Sequence, residues 1–164
     1  NYKLSDKAKS YITTSRYYLG GYNSDPPLTN EMYGYERGTL KCNTDRPLYW
    51  DGMVGLMYLS DYGYVAGNSC VNGTKLYNYN GGCRNKDWLR MTTSSNYTNA
   101  AEWLMSPHSD DGFGVFYVNS SGKSEYDLYA GFEFSVRPVF YLTSNTLITN
   151  GDGSLNNPYL ITLE

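Results

Sequence analysis

Residues 134–159 read FSVRPVFYLTSNTLITNGDGSLNNPY and divide into a strand, a polar turn and a short closing strand. Between Phe134 and Leu142, alternate side chains point to opposite faces of such a strand. One face is apolar throughout and the other is half apolar: the first carries Phe134, Val136, Pro138, Phe140 and Leu142, the second Ser135, Arg137, Val139 and Tyr141. The pattern predicts one continuous core strand that is buried on much of both sides.

Arg137 and Pro138 are the two residues that such a strand has to accommodate. Proline cannot donate a hydrogen bond to a neighbouring strand, so we expect Pro138 at a sheet edge, a bulge or a strand end. A guanidinium among apolar neighbours needs a partner, and its planar fork suits a carboxylate or several backbone carbonyls. We therefore expect Arg137 to be a structural clamp, with contact to a ligand as the alternative.

The composition indicates that residues 1–164 form one domain with a small negative net charge of −3. Lys and Arg are scattered singly, which argues against a nucleic-acid partner or an anionic membrane. No apolar run approaches the roughly 20 residues that a membrane span needs. Because the sequence starts at Asn1 without a Met, we expect a mature or trimmed portion whose anchor or export signal lies upstream.

Tyrosine, glycine and asparagine are unusually frequent, with 19 Tyr and 17 Gly against a single His. Binding loops favour these residues, because Tyr supplies a large contact area at low entropy cost and Gly and Asn adapt to the ligand. Extracellular β-rich domains use Tyr in a different way, at half-buried strand positions. Any single Tyr of this chain therefore fits either interpretation, a ligand contact in a binding loop or a half-buried residue in a strand.

Three cysteines allow one disulfide and leave one thiol. Cys70 and Cys83 bracket a segment rich in turn residues, so we predict a bridge between them. Such a bridge would indicate an oxidising compartment. Cys42 is either free or the true partner of one of the others. A zinc site is disfavoured, because there is no Cys-x-x-Cys pair and His108 is remote in sequence from all three cysteines.

The rest of the sequence predicts an α+β domain, mostly antiparallel sheet, with one or two helices and long polar loops. Residues 5–12 form the only convincing helix, with Ser5 as its cap. Strands are predicted at 32–36 and 54–59, the latter ended by turn residues at 60–64. Trp88 and Trp103 lie in short apolar segments that we assign to the core, and Asn119-Ser120-Ser121-Gly122 is typical of a hairpin turn.

Several short sequence motifs together resemble the C-terminal ectodomains of pilin-like surface proteins of Gram-positive bacteria. They are Tyr18-Leu19-Gly20-Gly21, Tyr35-Glu36-Arg37-Gly38, the segments 55–64 and 87–89, Trp103-Leu104-Met105-Ser106-Pro107, and 136–142 followed by 151–154 and 157–159. The Trp103–Pro107 and Arg137-Pro138 motifs also resemble the variant of the C-type-lectin fold found in formylglycine-generating enzymes and in the variable proteins of diversity-generating retroelements. The resemblance implies a lectin-like ectodomain, anchored at the cell surface through an upstream segment.

In folds of this kind the segment before the Arg-Pro strand faces the ligand. The resemblance therefore implies that residues 123–133 bind the ligand, with Tyr126, Asp127 and Tyr129 as the first contacts. Asn96, Tyr97 and Asn99, from the polar loop at 92–99, are the second choice. The alternative is that all six are ordinary solvent-facing loop residues.

Motifs for catalysis and metal binding are weak. His108 has Ser and Asp neighbours, but adjacency in sequence is not a catalytic triad. The three cysteines do not reproduce the closely spaced copper-binding pair of the formylglycine-generating enzymes. Residues 150–156 carry oxygen side chains at alternate positions, as half of a calcium loop does, but a tight hairpin explains the same residues. We expect no enzymatic activity and no cofactor, with calcium as a minor alternative.

These observations favour a non-enzymatic, extracellular domain that binds a glycan or a protein, in ligand recognition or adhesion. An alternative is the structural head domain of a pilus-like subunit, whose Tyr-rich surface serves self-assembly. The least favoured interpretation is a degenerate relative of an enzyme fold.

Overall fold

The computed structural model describes residues 4–41, 47–79, 81–86, 89, 101–110, 112–127, 131–153 and 156–163. Its helices are α1 (Asp6–Ser10), α2 (Thr29–Glu36), α3 (Leu59–Tyr64), α4 (Asn68–Gly73) and α5 (Gly81–Arg84), with a 3₁₀ turn at Leu76–Asn78. Its strands are β1 (Ile12–Thr13), β2 (Ser15–Tyr18), β3 (Tyr49–Gly52), β4 (Gly55–Leu56), β5 (Glu102–Pro107), β6 (Val115–Val118), β7 (Ser124–Asp127), β8 (Ser135–Val136), β9 (Pro138–Val139), β10 (Tyr141–Leu142), β11 (Thr146–Asn150) and β12 (Leu160–Leu163).

The largest sheet has four strands in the order β7-β6-β5-β8. Neighbouring strands are antiparallel except for β8, which runs parallel to β5. The other strands form antiparallel pairs, β1 with β10, β2 with β3, β4 with β9 and β11 with β12. The α+β class is therefore confirmed. The expectation of only one or two helices is wrong, because the described residues contain five.

An apolar core joins the helices α2 to α5 to the four-stranded sheet. Its buried members are Met32, Met57, Leu59, Tyr62, Ala66, Cys70, Leu76, Tyr79, Cys83, Leu104, Phe116 and Val118. Cys70 and Cys83 form the predicted disulfide within this core, with Cα atoms 5.7 Å apart. The segment between them is not a plain loop, since it holds the second half of α4, the 3₁₀ turn and the start of α5. Cys42 lies outside the described residues.

The helix predicted at 5–12 is confirmed in shorter form as α1, and Ser5 caps it by accepting a hydrogen bond from the Ala8 amide at 3.1 Å. The strand predicted at 32–36 is wrong, because these residues belong to α2. Thr29, Met32 and Glu36 are buried and recur at the three- and four-residue spacing of one helix face. In the part of the chain that the structure describes, no helix combines the length and apolar character needed to cross a bilayer.

The strand predicted at 54–59 is also wrong for most of its length. Only Gly55 and Leu56 form a strand, and the residues predicted as a terminating turn, 60–64, form most of α3. Met57, Tyr58 and Leu59 are all buried where strand changes to helix. A short, continuously apolar run fits a buried strand and a buried helix start equally well, so its periodicity did not separate the two.

The continuous strand predicted at 134–142 is divided into three two-residue strands, each in a different sheet: β8, β9 and β10. Burial on both sides is wrong as well, because Val136 is 61% exposed and Phe140, Tyr141 and Leu142 are also exposed. Pro138 begins β9 at the strand-end position expected of it. In the described part of the predicted closure at 150–157, β11 pairs antiparallel with β12, and Gly151 and Gly153 have φ of +92° and +82°.

Two of the residues that we predicted to be structural, Arg137 and Trp103, have partners in the described part of the chain. Arg137 pairs with a carboxylate, that of Glu102 on β5, at 3.0 Å. Trp103 is buried, and its indole nitrogen donates to the Phe132 carbonyl oxygen at 3.2 Å. The predicted turn before β7 is also confirmed, with Gly122 at φ +81°. Trp88, the third structural residue that we predicted, lies outside the described residues.

Candidate functional site

Tyrosine and arginine side chains from β2, β3, α2 and α3 form a connected surface. We call it the tyrosine–arginine surface, and it consists of Tyr18, Tyr33, Tyr49, Tyr58, Tyr64, Arg16 and Arg37. Four of its rings, Tyr18, Tyr33, Tyr49 and Tyr64, are between 38% and 49% exposed. Exposed rings that are held by neighbouring side chains are typical of recognition surfaces.

The β2–β3 pair supplies one end of this surface. Alternation along β2 turns Tyr17 into the protein and leaves Arg16 and Tyr18 outside. Tyr18 lies directly opposite Tyr49 in the antiparallel register. Arg16 forms a two-pronged pair with Asp51, at 2.9 and 3.0 Å, and its guanidinium carbon lies 3.8 Å from the centroid of the Tyr49 ring. The ion pair therefore fixes the cation that covers Tyr49.

Helix α2 supplies the centre. Tyr33 and Arg37 are four residues apart, so their side chains lie side by side, on a helix face next to the buried one that carries Met32 and Glu36. The guanidinium carbon of Arg37 lies 4.2 Å from the Tyr58 ring centroid and 5.2 Å from that of Tyr33. It also lies 5.5 Å from the centroid of Tyr18, which connects α2 to the β2–β3 pair. Arg37 is thus surrounded by three tyrosine rings.

Helix α3 supplies the floor and the far end. Tyr58, immediately before α3, is buried, and its hydroxyl donates to the Tyr18 carbonyl oxygen at 2.9 Å. Tyr64 packs edge-to-face on Tyr33 with ring centroids 6.0 Å apart. The Tyr64 hydroxyl donates to Asn30 Oδ1 at 2.9 Å, and Asn30 in turn donates to Asn72. The surface therefore ends in a pair of exposed amides.

Beneath the surface, a buried carboxylate joins α2, α3 and β5. Glu36 accepts hydrogen bonds from the Ser60 amide at 3.2 Å and from Ser106 Oγ at 2.5 Å, and also from the Ser60 hydroxyl. Ser106 Oγ accepts a hydrogen bond from the Leu59 amide at 3.0 Å. Side chains from other elements thus satisfy the first amides of α3. The network fixes α2 against α3, and so fixes Arg37 against Tyr58.

The charges in this region follow from burial. Burial raises the pKa of the Glu36 carboxyl group to about 7, although the hydrogen bonds from Ser106 and Ser60 lower it. Burial also raises the pKa of the Tyr58 hydroxyl to about 12, so this ring stays neutral. The Asp61 pKa is raised by burial too, and its carboxylate accepts a hydrogen bond from the Tyr58 amide at 3.1 Å. Arg16 and Arg37 are therefore the cations of the surface.

The ligand contacts predicted from sequence lie elsewhere or outside the described residues. Tyr126 is exposed on β7, the edge strand of the four-stranded sheet, and its ring stacks on His108 with centroids 4.3 Å apart. Asp127 ends β7 and pairs through its backbone with Val115. Tyr129, Asn96, Tyr97 and Asn99 lie outside the described residues. Their role as ligand contacts stays a prediction.

His108 does not form a catalytic relay with its sequence neighbours. Its ring is buried, and neither ring nitrogen has a hydrogen-bond partner among the described residues. Asp110 instead accepts hydrogen bonds from Ser109 at 3.1 Å and from Asn23 at 3.1 Å. Within the described ranges there is also no group of three or more His, Cys, Asp or Glu side chains placed to hold a metal ion.

Sequence reasoning did not find the tyrosine–arginine surface. The Tyr18–Gly21 and Tyr35–Gly38 motifs were noted for their resemblance to a family, not for the contacts that their side chains make. The alternation Arg16, Tyr17, Tyr18 did contain a usable signal, since a strand with a buried Tyr17 must expose the residues on either side of it. No protein-family model, curated protein or solved structure matches this chain.

Proposed function

We propose that this chain is a non-enzymatic, extracellular, lectin-like ligand-binding domain of a bacterial surface protein, and that its tyrosine–arginine surface binds a glycan. The observation that carries the proposal is the connected set of exposed Tyr rings, each in contact with an arginine or another ring. Sugar rings stack on aromatic faces of this kind through their C–H groups, while polar edges bond to the hydroxyls.

The contacts that hold these tyrosine rings in place support a role in ligand binding. Tyr49 is covered by Arg16, which is itself held by Asp51, and Tyr64 is tied to Asn30 by a hydrogen bond of 2.9 Å. Rings that are already ordered lose less conformational entropy when a ligand binds. The surface is therefore pre-organised for a flat ligand.

A glycan is favoured over a protein partner by the polar character of the surface. Protein interfaces also use Tyr and Arg, but in a centre that packing against the partner closes to water, surrounded by a polar rim. Here the centre is the guanidinium group of Arg37 among tyrosine rings, and the far end carries the amides of Asn30 and Asn72. Hydroxyl, amide and guanidinium groups complement the dense hydroxyl pattern of a sugar.

The extracellular and lectin-like parts of the proposal have separate support. The Cys70–Cys83 disulfide is compatible with an oxidising compartment. The lectin-like fold is supported by the resemblance of the Trp103–Pro107 and Arg137-Pro138 motifs, and the pilin-like surface location by the resemblance of the wider set of motifs along the chain. The α+β architecture with small antiparallel sheets is consistent with that fold class.

A glycan array tests the proposal with the wild-type domain and three variants. We expect saturable binding that weakens about tenfold or more in Tyr33→Ala and in Tyr49→Ala. Tyr126→Ala reports on the alternative contact segment at 123–133. Loss of binding in Tyr126→Ala, with Tyr33→Ala and Tyr49→Ala unaffected, would move the site to that segment. Absence of binding to any glycan would overturn the proposal.

A second candidate function, the structural head of a pilus-like subunit, is favoured by the β11–β12 hairpin. Ile148 is 63% exposed and lies opposite Ile161, which is also exposed, as are Leu160 and Tyr159. Among the described residues each strand of this hairpin pairs on one edge only, and such edges readily add another strand. Sedimentation velocity that shows assembly of the wild type but not of Ile148→Lys would support this function; a monomer at every concentration would remove it.

A further inference from the structure

We propose that Arg37 forms a carboxylate subsite within the tyrosine–arginine surface, so that the preferred glycan contains an acidic sugar. This inference rests on the proposed function, because it specifies the ligand of the same surface. It is carried by the position of the Arg37 guanidinium among three tyrosine rings and by the absence of an ion-pair partner for it in the described residues.

The three rings around Arg37 lie close to its guanidinium group. The Tyr58 centroid is 4.2 Å from the guanidinium carbon, and the Tyr33 and Tyr18 centroids are 5.2 and 5.5 Å away. The rings attract the cation, and the Tyr33 and Tyr58 hydroxyls also accept hydrogen bonds from the guanidinium. These neutral hydroxyls use only part of its five N–H donors, and a carboxylate fits such a fork with two parallel hydrogen bonds.

No carboxylate of the described residues comes within the 4.0 Å of an ion pair with Arg37. Glu36 and Asp61 influence it only at longer range, and both are engaged elsewhere. Glu36 accepts from Ser60 and Ser106, and Asp61 accepts from the Tyr58 amide. Arg37 is thus a cation held by neutral tyrosine side chains, with no carboxylate partner among the described residues.

Arg16 provides an internal comparison on the same surface. It also covers a tyrosine ring, but the Nε and Nη2 edge of its guanidinium is already occupied by the Asp51 carboxylate, at 2.9 and 3.0 Å, which also compensates its charge. The Arg16–Asp51 pair therefore shows what a guanidinium bound to a carboxylate looks like on this surface, and Arg37 has no such pair among the described residues. The structure therefore assigns the incoming carboxylate to Arg37 rather than to Arg16.

The probes for the test are matched oligosaccharide pairs in which only the acidic group is changed: 3′-sialyllactose against its sialic acid methyl ester, and a glucuronic-acid-terminated disaccharide against its glucose-terminated counterpart. Affinities are measured by titration calorimetry. We expect the acidic member of at least one pair to bind about tenfold or more tightly at neutral pH. We also expect this preference to shrink as salt concentration rises, since screening weakens charge pairing, while binding of the neutral member changes little.

The variants separate Arg37 from general effects of charge. Arg37→Gln should abolish the preference, and Arg37→Lys should restore only part of it, because an ammonium cannot form the two-pronged pair. Arg16→Gln should leave the ratio of acidic to neutral affinity unchanged, even if loss of the Arg16–Tyr49 contact lowers both affinities. Lys7→Gln, on α1, which contributes no residue to the tyrosine–arginine surface, controls for loss of one positive charge. Near-UV circular dichroism establishes that each variant is folded.

The outcomes distinguish this inference from the proposed function. Equal binding of acidic and neutral members at a site sensitive to Tyr33→Ala would overturn the carboxylate subsite and leave the glycan surface standing. A preference that survives Arg37→Gln would also overturn it. If Arg37→Gln does not fold, Arg37→Lys decides, because a preference as large as that of the wild type would show that no two-pronged pair with Arg37 forms. Absence of binding to every probe would overturn both.

Discussion

Arg137 and Glu102 form an ion pair across the parallel part of the four-stranded sheet. Arg137 Nη2 donates to Glu102 Oε2 at 3.0 Å, joining the residue after β8 to the first residue of β5. The two sides of the pair differ in burial, because the Glu102 side chain is 3% exposed and that of Arg137 is 32% exposed. Burial raises the pKa of Glu102 and the nearby Arg137 lowers it. The arginine thus compensates a carboxylate that the fold has removed from water.

Replacing Arg137 by Gln should destabilise the protein, because it leaves the buried Glu102 carboxylate without its cation. We expect a loss of about 2 kcal/mol in the free energy of unfolding, below the usual cost for a fully buried pair because Arg137 is partly exposed. Urea unfolding at pH 7 measures it. The loss should shrink at pH 4, where Glu102 becomes protonated. Arg16→Gln breaks an exposed pair and is the matched control; an equal loss there would contradict the argument.

Arg137 also shows what sequence can predict. A guanidinium placed among apolar residues needs a hydrogen-bond acceptor. For Arg137 this acceptor is Glu102, 35 residues away in sequence. The chemistry of a side chain is a local property, so the need for a partner was predictable. The identity of that partner depends on the parallel pairing of β8 with β5, which no local pattern specifies.

Helix α2 shows where local reasoning fails. Its sequence, TNEMYGYE, contains a central Gly and two β-favouring Tyr residues, so it predicts a strand more readily than a helix. The helix is stabilised by tertiary hydrogen bonds: Glu36 accepts from Ser60 and Ser106, which are 24 and 70 residues distant in sequence. The tyrosine–arginine surface depends on the same distant packing, because Arg37 meets Tyr58 only after α2 and α3 have docked. Tertiary contacts therefore determined both the helix and the site.

Glu36 should make stability depend on pH between about 4.5 and 7. Its pKa is about 7 in the folded protein and near 4.5 in the unfolded chain, so the folded state binds a proton more tightly. Over this range the folded state carries more bound protons, and stability falls as pH rises, with the full penalty of about 3 kcal/mol present above pH 7. Glu36→Gln should remove this part of the pH dependence, as measured by thermal or urea unfolding across pH 4–8.

The comparison with Glu36→Ala separates charge from packing. Gln can still accept hydrogen bonds from Ser60 and can donate to Ser106. Ala leaves the Ser60 and Ser106 hydroxyls without this partner and opens a cavity. We therefore expect Glu36→Gln to be at least as stable as the wild type at pH 8, and Glu36→Ala to be less stable at every pH. Parallel pH profiles of the wild type and Glu36→Gln would show that another group controls the dependence.

The Cys70–Cys83 disulfide should contribute about 3 kcal/mol to stability, since it closes a loop with a sequence separation of 13 residues. The double variant Cys70→Ser, Cys83→Ser should lose this amount, as should the wild type after reduction. In Cys42→Ser, reductant should lower the free energy of unfolding by the same amount as in the wild type. Peptide mapping without reductant should recover Cys70 linked to Cys83, and recovery of Cys42 in a disulfide would contradict the pairing.

The approach of Gly20 to the end of α2 predicts a selective glycine effect. A Cβ atom at Gly20 would lie 2.1 Å from the Tyr35 carbonyl oxygen and 2.7 Å from that of Glu36, and neither backbone atom can move without shifting α2. Gly20→Ala should therefore cost about 2 kcal/mol or more, and it should also displace Arg37, one residue beyond Glu36.

Gly82→Ala is the control for Gly20→Ala, because Gly82 lies in α5 and a Cβ there meets nothing within 4 Å. Alanine at that position should stabilise the protein slightly, by about 0.5 kcal/mol or more, since it restricts the unfolded chain and favours the helix. Thermal unfolding of both variants measures the contrast. Equal effects would mean that the contact between Gly20 and α2 is not tight, and the packing that places Arg37 beside Tyr18 would then need another source.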